Sequence, residues 1–352
     1  MLHYFLLAVS VFAVFISAHI HPPTRTHLQY ITAVNRTQPI KLLASPACGA
    51  LTSSHFTEVN TGVKLNATKT IVAFGDSWTS NGSNGTIPFA PMVFPPNPSA
   101  GARFGNNFRA RASNSYVWVE NLANTLGAKL IDYAVGGAVV DLSAWNSTNK
   151  GVTFTSDNLL RVDFIEQTNL FLQQGRFLSN LDPDTTLYTI HFVSSDFNQF
   201  SIADGDWNIA ANTFLRQIGI LQQNGARNFL VHWLYTSNNV TNAFQDVVHH
   251  GLKAAHAENG TNFVTVNFNK LYSAILNEPE VWGYNNNTWC APLNFPLKNT
   301  RINLVCSLVS QNFTTFGCDD PDHSIFYIPN HPSGTTHEIM SQYTILTAET
   351  CI

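Results

Sequence analysis

The sequence predicts an α/β protein: a three-layer α/β/α sandwich on a mostly parallel five-stranded sheet. From Thr70 onward, short apolar runs alternate with longer stretches whose apolar residues recur every three to four positions, the pattern of successive βα units. Of the 352 residues, 44% are hydrophobic and 12% aromatic, enough to bury both faces of such a sheet.

Five runs read as buried strands: 71–74, 129–133, 187–193, 228–234 and 262–268. Between and after them, helices are predicted over 116–126, 159–178, 209–223, 241–258 and from 333 to about 346. "VWVENLANTL" and "FLRQIGILQQNG" carry the helical spacing most clearly, and Gly225 closes the latter as a C-cap. Residues 19–68, rich in Thr, Pro, His and Asn, read as an irregular N-terminal extension, and 69–352 as one domain. The stretch 80–114, with "PFAPMVFPPNPSAG", reads as a long loop beside the mouth of the first strand.

Formal net charge is −4, with 11% charged residues and no run of Lys or Arg, so the electrostatic footprint of a nucleic-acid partner is missing. The apolar run 4–16 followed by Ser17-Ala18 reads as a secretory signal peptide over 1–18. The competing reading is an uncleaved anchor, for which the run is short. Asn-x-Ser/Thr sites at Asn35, Asn66, Asn81, Asn84, Asn146, Asn239, Asn259, Asn286 and Asn312 fit a secreted, extracellular glycoprotein without stable membrane association. Cys48, Cys290, Cys306, Cys318 and Cys351 contain no Cys-x-x-Cys and no Cys/His cluster, which argues against structural zinc and for two disulfides with one thiol left over.

In open α/β sheets the ligand crevice lies beyond the carboxyl ends of the strands. Three stretches there carry unusual chemistry. In "IVAFGDSW", Ser77 follows the first strand by three residues. Its hydroxyl can face the crevice as a nucleophile, or Asp76 and Ser77 can cap a helix. In "IDYAVGGAVVD", Gly136-Gly137 permits close backbone approach and leaves N–H groups for an oxyanion, although a tight turn explains the pair equally well. In "YIPNHPSGTTHEIM", His331 is held by Pro332 just before the last helix, where an imidazole can act as a general base. His337 reads as a helix residue.

Together these blocks resemble the GDSL esterases, or SGNH hydrolases, and are most similar to secreted fungal members of carbohydrate esterase family sixteen. "FGDSW" resembles the nucleophile block, "YAVGGA" the oxyanion-hole glycine block and "HPS" the base block; "WVENLA", "DPDTTLYTI" and "CDDPDHSIFY" reinforce the likeness, which spans residue 71 to the C-terminus. The resemblance implies a flavodoxin-like sheet and catalysis by Ser77 and His331. It places Ser77, Gly137 and Ser195 at the oxyanion and needs no metal or cofactor. Trp78, Asp76, Gly136 and Asp196 are expected near substrate; Trp78 and Phe104 could stack on a sugar ring, and ordinary packing explains both equally well. Because Ser77 and His331 must meet, one domain includes nearly the whole mature chain.

Two departures stand out. Where the family has Gly-x-Asn-Asp, "FVSSD" places Val193 at the glycine and Ser195 at the asparagine, with Asp196 kept. Loss of one oxyanion donor costs roughly 10²- to 10³-fold in rate. Three residues before His331 the family has an Asp, and this chain has Ile328. A backbone carbonyl within 328–330, or a carboxylate of Asp319, Asp320 or Asp322, is then needed to orient the ring. The resulting expectation is a monomeric, secreted serine esterase for short acyl esters, acetylated carbohydrate in particular. The alternatives are a catalytically impaired glycan-binding protein and a lipase-type esterase for longer chains.

Overall fold

In the computed structural model, the residues described are 39–81, 92–94, 111–149, 162–175, 181–192, 194–290 and 320–352. Five parallel strands form the centre of the main sheet: β2 (Thr70–Gly75), β4 (Lys129–Asp132), β5 (Thr186–His191), β6 (Asn228–Trp233) and β7 (Asn262–Asn267). They match the five predicted strands to within two residues at each end. Two short antiparallel strands, β1 (Val59–Asn60) and β3 (Met92–Phe94), flank them in the order β1-β7-β6-β5-β2-β4-β3. Counted along the chain, the parallel strands lie in the order 2-1-3-4-5. The connection after β2 therefore goes one way, to β4, and the next returns to β5 on the other side. Such a reversal opens a crevice at the carboxyl ends of β2 and β5.

Burial follows the two-residue period of a strand. Val72, Phe74, Ile131, Tyr188, Ile190, Phe229 and Val231 enter one core, while Ile71, Ala73, Leu130, Leu187, Leu230 and Val264 enter the other. On the first face lie α2 (Phe164–Leu170), α4 (Trp207–Gln223) and α5 (Asn239–Asn259), through Phe164, Phe214, Ile218, Phe244 and Val248. On the second lie α1 (Trp118–Leu126), α6 (Phe268–Asn277) and α7 (Gly334–Thr350), through Leu122, Leu271, Tyr272, Ile339 and Met340. The result is a three-layer sandwich. The ends are chemically marked: the Asn238 side chain accepts from the N–H groups of Val240 and Thr241 at the start of α5, and Gly260 ends it with φ +63°.

Two ten-residue helices escape the sequence reading. α6 follows β7 without a break, because Asn267 is both the last strand residue and the cap that accepts from Lys270 N–H. α3 (Ser194–Ala203) lies where the third strand was expected to end, and its polar sequence lacks a clear apolar stripe. The segment read as an irregular extension is also more than a cover. It supplies β1, the Asn60 side chain donates to Ala348 O at 2.6 Å, and a Cys48–Cys351 disulfide ties it to the end of α7. Cys290 is disulfide-bonded as well, with its partner outside the described residues.

A second sheet, ordered β10-β9-β8, is formed by β8 (Asn286–Trp289), β9 (Ser324–Ile328) and β10 (His331–Pro332). Its β9–β10 hairpin turns through Pro329 and Asn330 and delivers His331 to the rim of the main sheet. Among the described residues no helix is long and apolar enough to cross a membrane. The signal-peptide expectation, Asn35, Asn84, Phe104, Val193, Asn312, Asp319 and most of the 80–114 loop lie outside the described residues.

Candidate active site

β2 ends at Gly75, packed so tightly that a Cβ there would stand 2.5 Å from the His191 carbonyl. The Gln167 side chain, from α2, brackets the same residue: Gly75 N–H donates to its Oε1 and its Nε2 donates to Gly75 O, both at 2.9 Å. The strand end is therefore fixed before the chain turns through Asp76 and Ser77. Asp76 is fully buried; Trp78 N–H donates to its Oδ1 at 3.0 Å, and the N–H groups of Ser194 and Ser195 are directed at the same carboxyl. Burial outweighs these donors and raises its pKa to about 7.

Ser77 is half-buried, and its Oγ lies 2.7 Å from His331 Nε2. The other ring nitrogen, Nδ1, faces Pro329 O at 2.8 Å. A carbonyl can only accept, so Nδ1 carries the hydrogen and Nε2 presents its lone pair to the Ser77 hydroxyl. Burial lowers the His331 pKa to about 4, partly opposed by the Pro329 carbonyl. The imidazole is thus neutral, the form a general base requires.

The two described carboxylates offered for this role, Asp320 and Asp322, have other partners. Asp320 accepts from His323 Nδ1 at 2.8 Å and from Asn285, and Asp322 accepts from Asn114 at 2.9 Å. A carbonyl within 328–330, the other option, is what the hairpin supplies. Pro at the second turn position and Asn330 at the third with φ +59° are the signature of a type II turn, whose central peptide carries the Pro329 carbonyl.

Gly137 adopts φ +81°, a conformation suited to glycine, and like Ser77 its N–H has no acceptor among the described residues. Gly136 and Gly137 are half-buried. Ser195 sits at the start of α3, where its hydroxyl can serve as a donor to an anion. The structure brings together Ser77, His331, Asp76 and Ser195.

Three residues expected at substrate are instead internal. Asp196 is fully buried, its Oδ1 accepting from Val140 N–H at 2.9 Å and Trp145 Nε1–H at 3.0 Å. Asp76 anchors the turn and α3. Trp78 is 1% exposed, stacks on Tyr235 and His191 with centroids 4.7 and 5.6 Å away, and donates Nε1–H to Asn330 O at 3.0 Å. No sugar ring can reach its face. The Asn81 sequon is also corrected: its side chain is 5% exposed and donates to Glu120, inside a buried group where Arg111 Nε donates to Glu120 at 2.7 Å. The Asn66, Asn146, Asn239 and Asn259 sequons are exposed.

Sequence reasoning missed the layer behind Ser77. His191, His232 and His337 are buried and held neutral by burial. His232 lies between the Trp118 edge at 4.2 Å and the Phe268 ring at 4.3 Å, and Trp118 N–H donates to His337 Nδ1. His191 ends β5, His232 is the last residue but one of β6, and His337 lies in α7; strand and helix periodicity shows only that they face inward. A cleft of about 560 Å³ lies elsewhere, lined by Asp141, Asp163, Asn212, Thr213 and Arg216 among others. Its carboxylates are engaged by Ser143, Thr213, Leu142 and Glu166.

No protein-family profile matches the sequence. Over 161 residues the chain is 27% identical to the thermolabile hemolysin of Vibrio parahaemolyticus, a match that covers 46% of this chain and 32% of that protein. The chain thus aligns with about a third of its bacterial relative, a distant and partial similarity.

Proposed function

We propose that this protein is a serine hydrolase of the GDSL type, acting on short-chain acyl esters, with acetylated carbohydrate as the substrate class. The observation that carries the reading is the 2.7 Å approach of Ser77 Oγ to the lone-pair nitrogen of a neutral His331. His331 takes the Ser77 proton as Oγ attacks the ester carbonyl. The tetrahedral anion is met by the N–H groups of Ser77 and Gly137, with the Ser195 hydroxyl as a third donor. The imidazolium then protonates the leaving alcohol, and water deprotonated by the same ring releases the acid. The carbonyl behind His331 fixes the tautomer without a full negative charge, so the imidazolium is stabilised less than by a carboxylate. Secretion as a monomeric glycoprotein, with no nucleic-acid partner, belongs to the same proposal.

Purified protein should hydrolyse p-nitrophenyl acetate, and Ser77→Ala should remove all turnover. Glycan binding with no turnover in the unmodified protein would instead support the impaired, binding-only alternative, which the missing Asn at position 195 favours. A second reading, an esterase for longer acyl chains, is favoured by the similarity to a protein named a hemolysin, a name that points to membranes. A preference for octanoyl over acetyl esters would decide for it.

A further inference from the structure

We propose that Trp78 and Asn330 are positioning residues for His331: together they hold the hairpin turn in the conformation that aims the Pro329 carbonyl at the imidazole. The inference rests on the hydrolase reading and concerns how a chain with Ile328 in place of an acid keeps its base oriented.

The geometry forms a closed loop around the reacting pair. Ser77 Oγ touches His331 Nε2, His331 Nδ1 touches Pro329 O, and the next carbonyl, that of Asn330, accepts from the indole of Trp78, the neighbour of Ser77. The nucleophile turn and the base turn are thereby joined twice, once through the reacting atoms and once through a side-chain donor. Trp78 is itself fixed by stacking on Tyr235 and His191 and by its tilted contact with Tyr272. Its donor therefore has a defined direction.

Asn330 supplies the second constraint. Its φ of +59° is tolerated by Asn and Gly and resisted by β-branched residues. With a β-branched residue there, the turn would relax to the form with negative φ at that position, in which the central peptide is rotated and its carbonyl leaves Nδ1. Asn330 is exposed, so its substitution leaves the core intact.

The test compares Trp78→Phe, Asn330→Val and Asn330→Gly with the unmodified protein, by histidine ¹⁵N NMR and by steady-state kinetics on p-nitrophenyl acetate. In the unmodified protein His331 should be the Nδ1–H tautomer. Trp78→Phe removes the donor but keeps an aromatic ring, and Asn330→Val removes the turn preference. Each should raise the Nε2–H population, lower kcat about 10- to 100-fold with KM within about twofold, and move the acid limb of kcat/KM to lower pH. Asn330→Gly, which accepts positive φ, should retain tautomer, kcat and acid limb. If Asn330→Val keeps the Nδ1–H tautomer and its kcat, or Asn330→Gly loses as much as Asn330→Val, the proposal is overturned. The NMR readout needs no turnover: tautomer shifts in a protein that hydrolyses nothing would support the positioning role and refute the esterase reading alone.

Discussion

Replacing Gln167 by Met should loosen the strand end that presents Ser77. Met keeps nearly the same volume in this fully buried site, so the cavity term is small. Two hydrogen bonds of 2.9 Å are lost. Gly75 N–H is left unpaired in the core, at a cost of about 1–3 kcal/mol. Gly75 O keeps the Val135 N–H at 3.1 Å, so its loss is only about 0.5–1.5 kcal/mol. The sum is about 2–4 kcal/mol, or roughly 3–5 °C in melting temperature for a chain of this size. Urea unfolding followed by tryptophan fluorescence measures it directly, through a lower midpoint at unchanged slope.

Gln167→Glu sharpens the test. A protonated Glu can donate to Gly75 O and accept from Gly75 N–H as Gln does, whereas the carboxylate faces a carbonyl and is buried. The folded-state pKa of the new carboxyl should therefore be raised. Its stability is full below the unfolded value of about 4.3 and is lost as pH rises through the folded one. The deficit of Gln167→Glu should shrink on acidification while that of Gln167→Met, measured against the parent at each pH, stays constant. A Met variant within about 0.5 kcal/mol of the parent, or a Glu deficit independent of pH, would refute the bracket as a source of stability.

Other consequences follow from burial and covalent topology. The double variant Cys48→Ser/Cys351→Ser, which opens a loop with a sequence separation of 303, should lose about 2–5 kcal/mol in the same urea assay, and an unchanged midpoint would count against the staple. If His331 is the base, kcat/KM should hold well below pH 6.5 and fall only near pH 4; an acid limb at 6.5 would contradict the buried ring. Stability should fall between pH 6.5 and 4, because His191 and His331, depressed to about 3 and 4, each lose roughly 3 kcal/mol over that interval. Asp76, raised to about 7, works in the opposite direction and returns about 3 kcal/mol, leaving a net loss of roughly 3 kcal/mol before His232 and His337 are counted. If the protein is secreted as proposed, glycopeptide mass spectrometry should find Asn81 unmodified while exposed sites such as Asn66 and Asn239 carry glycan.

What was legible in the sequence is what periodicity and turn chemistry encode. The five central strands are apolar on both faces, so continuous runs such as Ile71–Phe74 announce themselves, and their chain order fixes where the crevice opens. The Ser77–His331 meeting was expected from the resemblance of their two stretches to GDSL esterase blocks, and the crevice is where such stretches can meet. The polar brackets were not readable, since each joins a side chain to a backbone group far along the chain: Gln167 to Gly75, Trp78 to Asn330, Asp76 to the start of α3. Helical periodicity says that Gln167 points inward but cannot name what it meets, and Trp78 lies in a turn, where no periodicity applies. Asn330 is the intermediate case. Pro329-Asn330 marks a turn, and a Pro followed by a residue tolerant of positive φ marks its type, so the orienting carbonyl was within reach of the sequence even though its target ring was not. Where no acid stands beside a histidine read as a base, the backbone conformation just ahead of the ring is therefore the place to look for what orients it, because a peptide dipole can be aimed by two residues whereas a carboxylate must be carried in from elsewhere and desolvated.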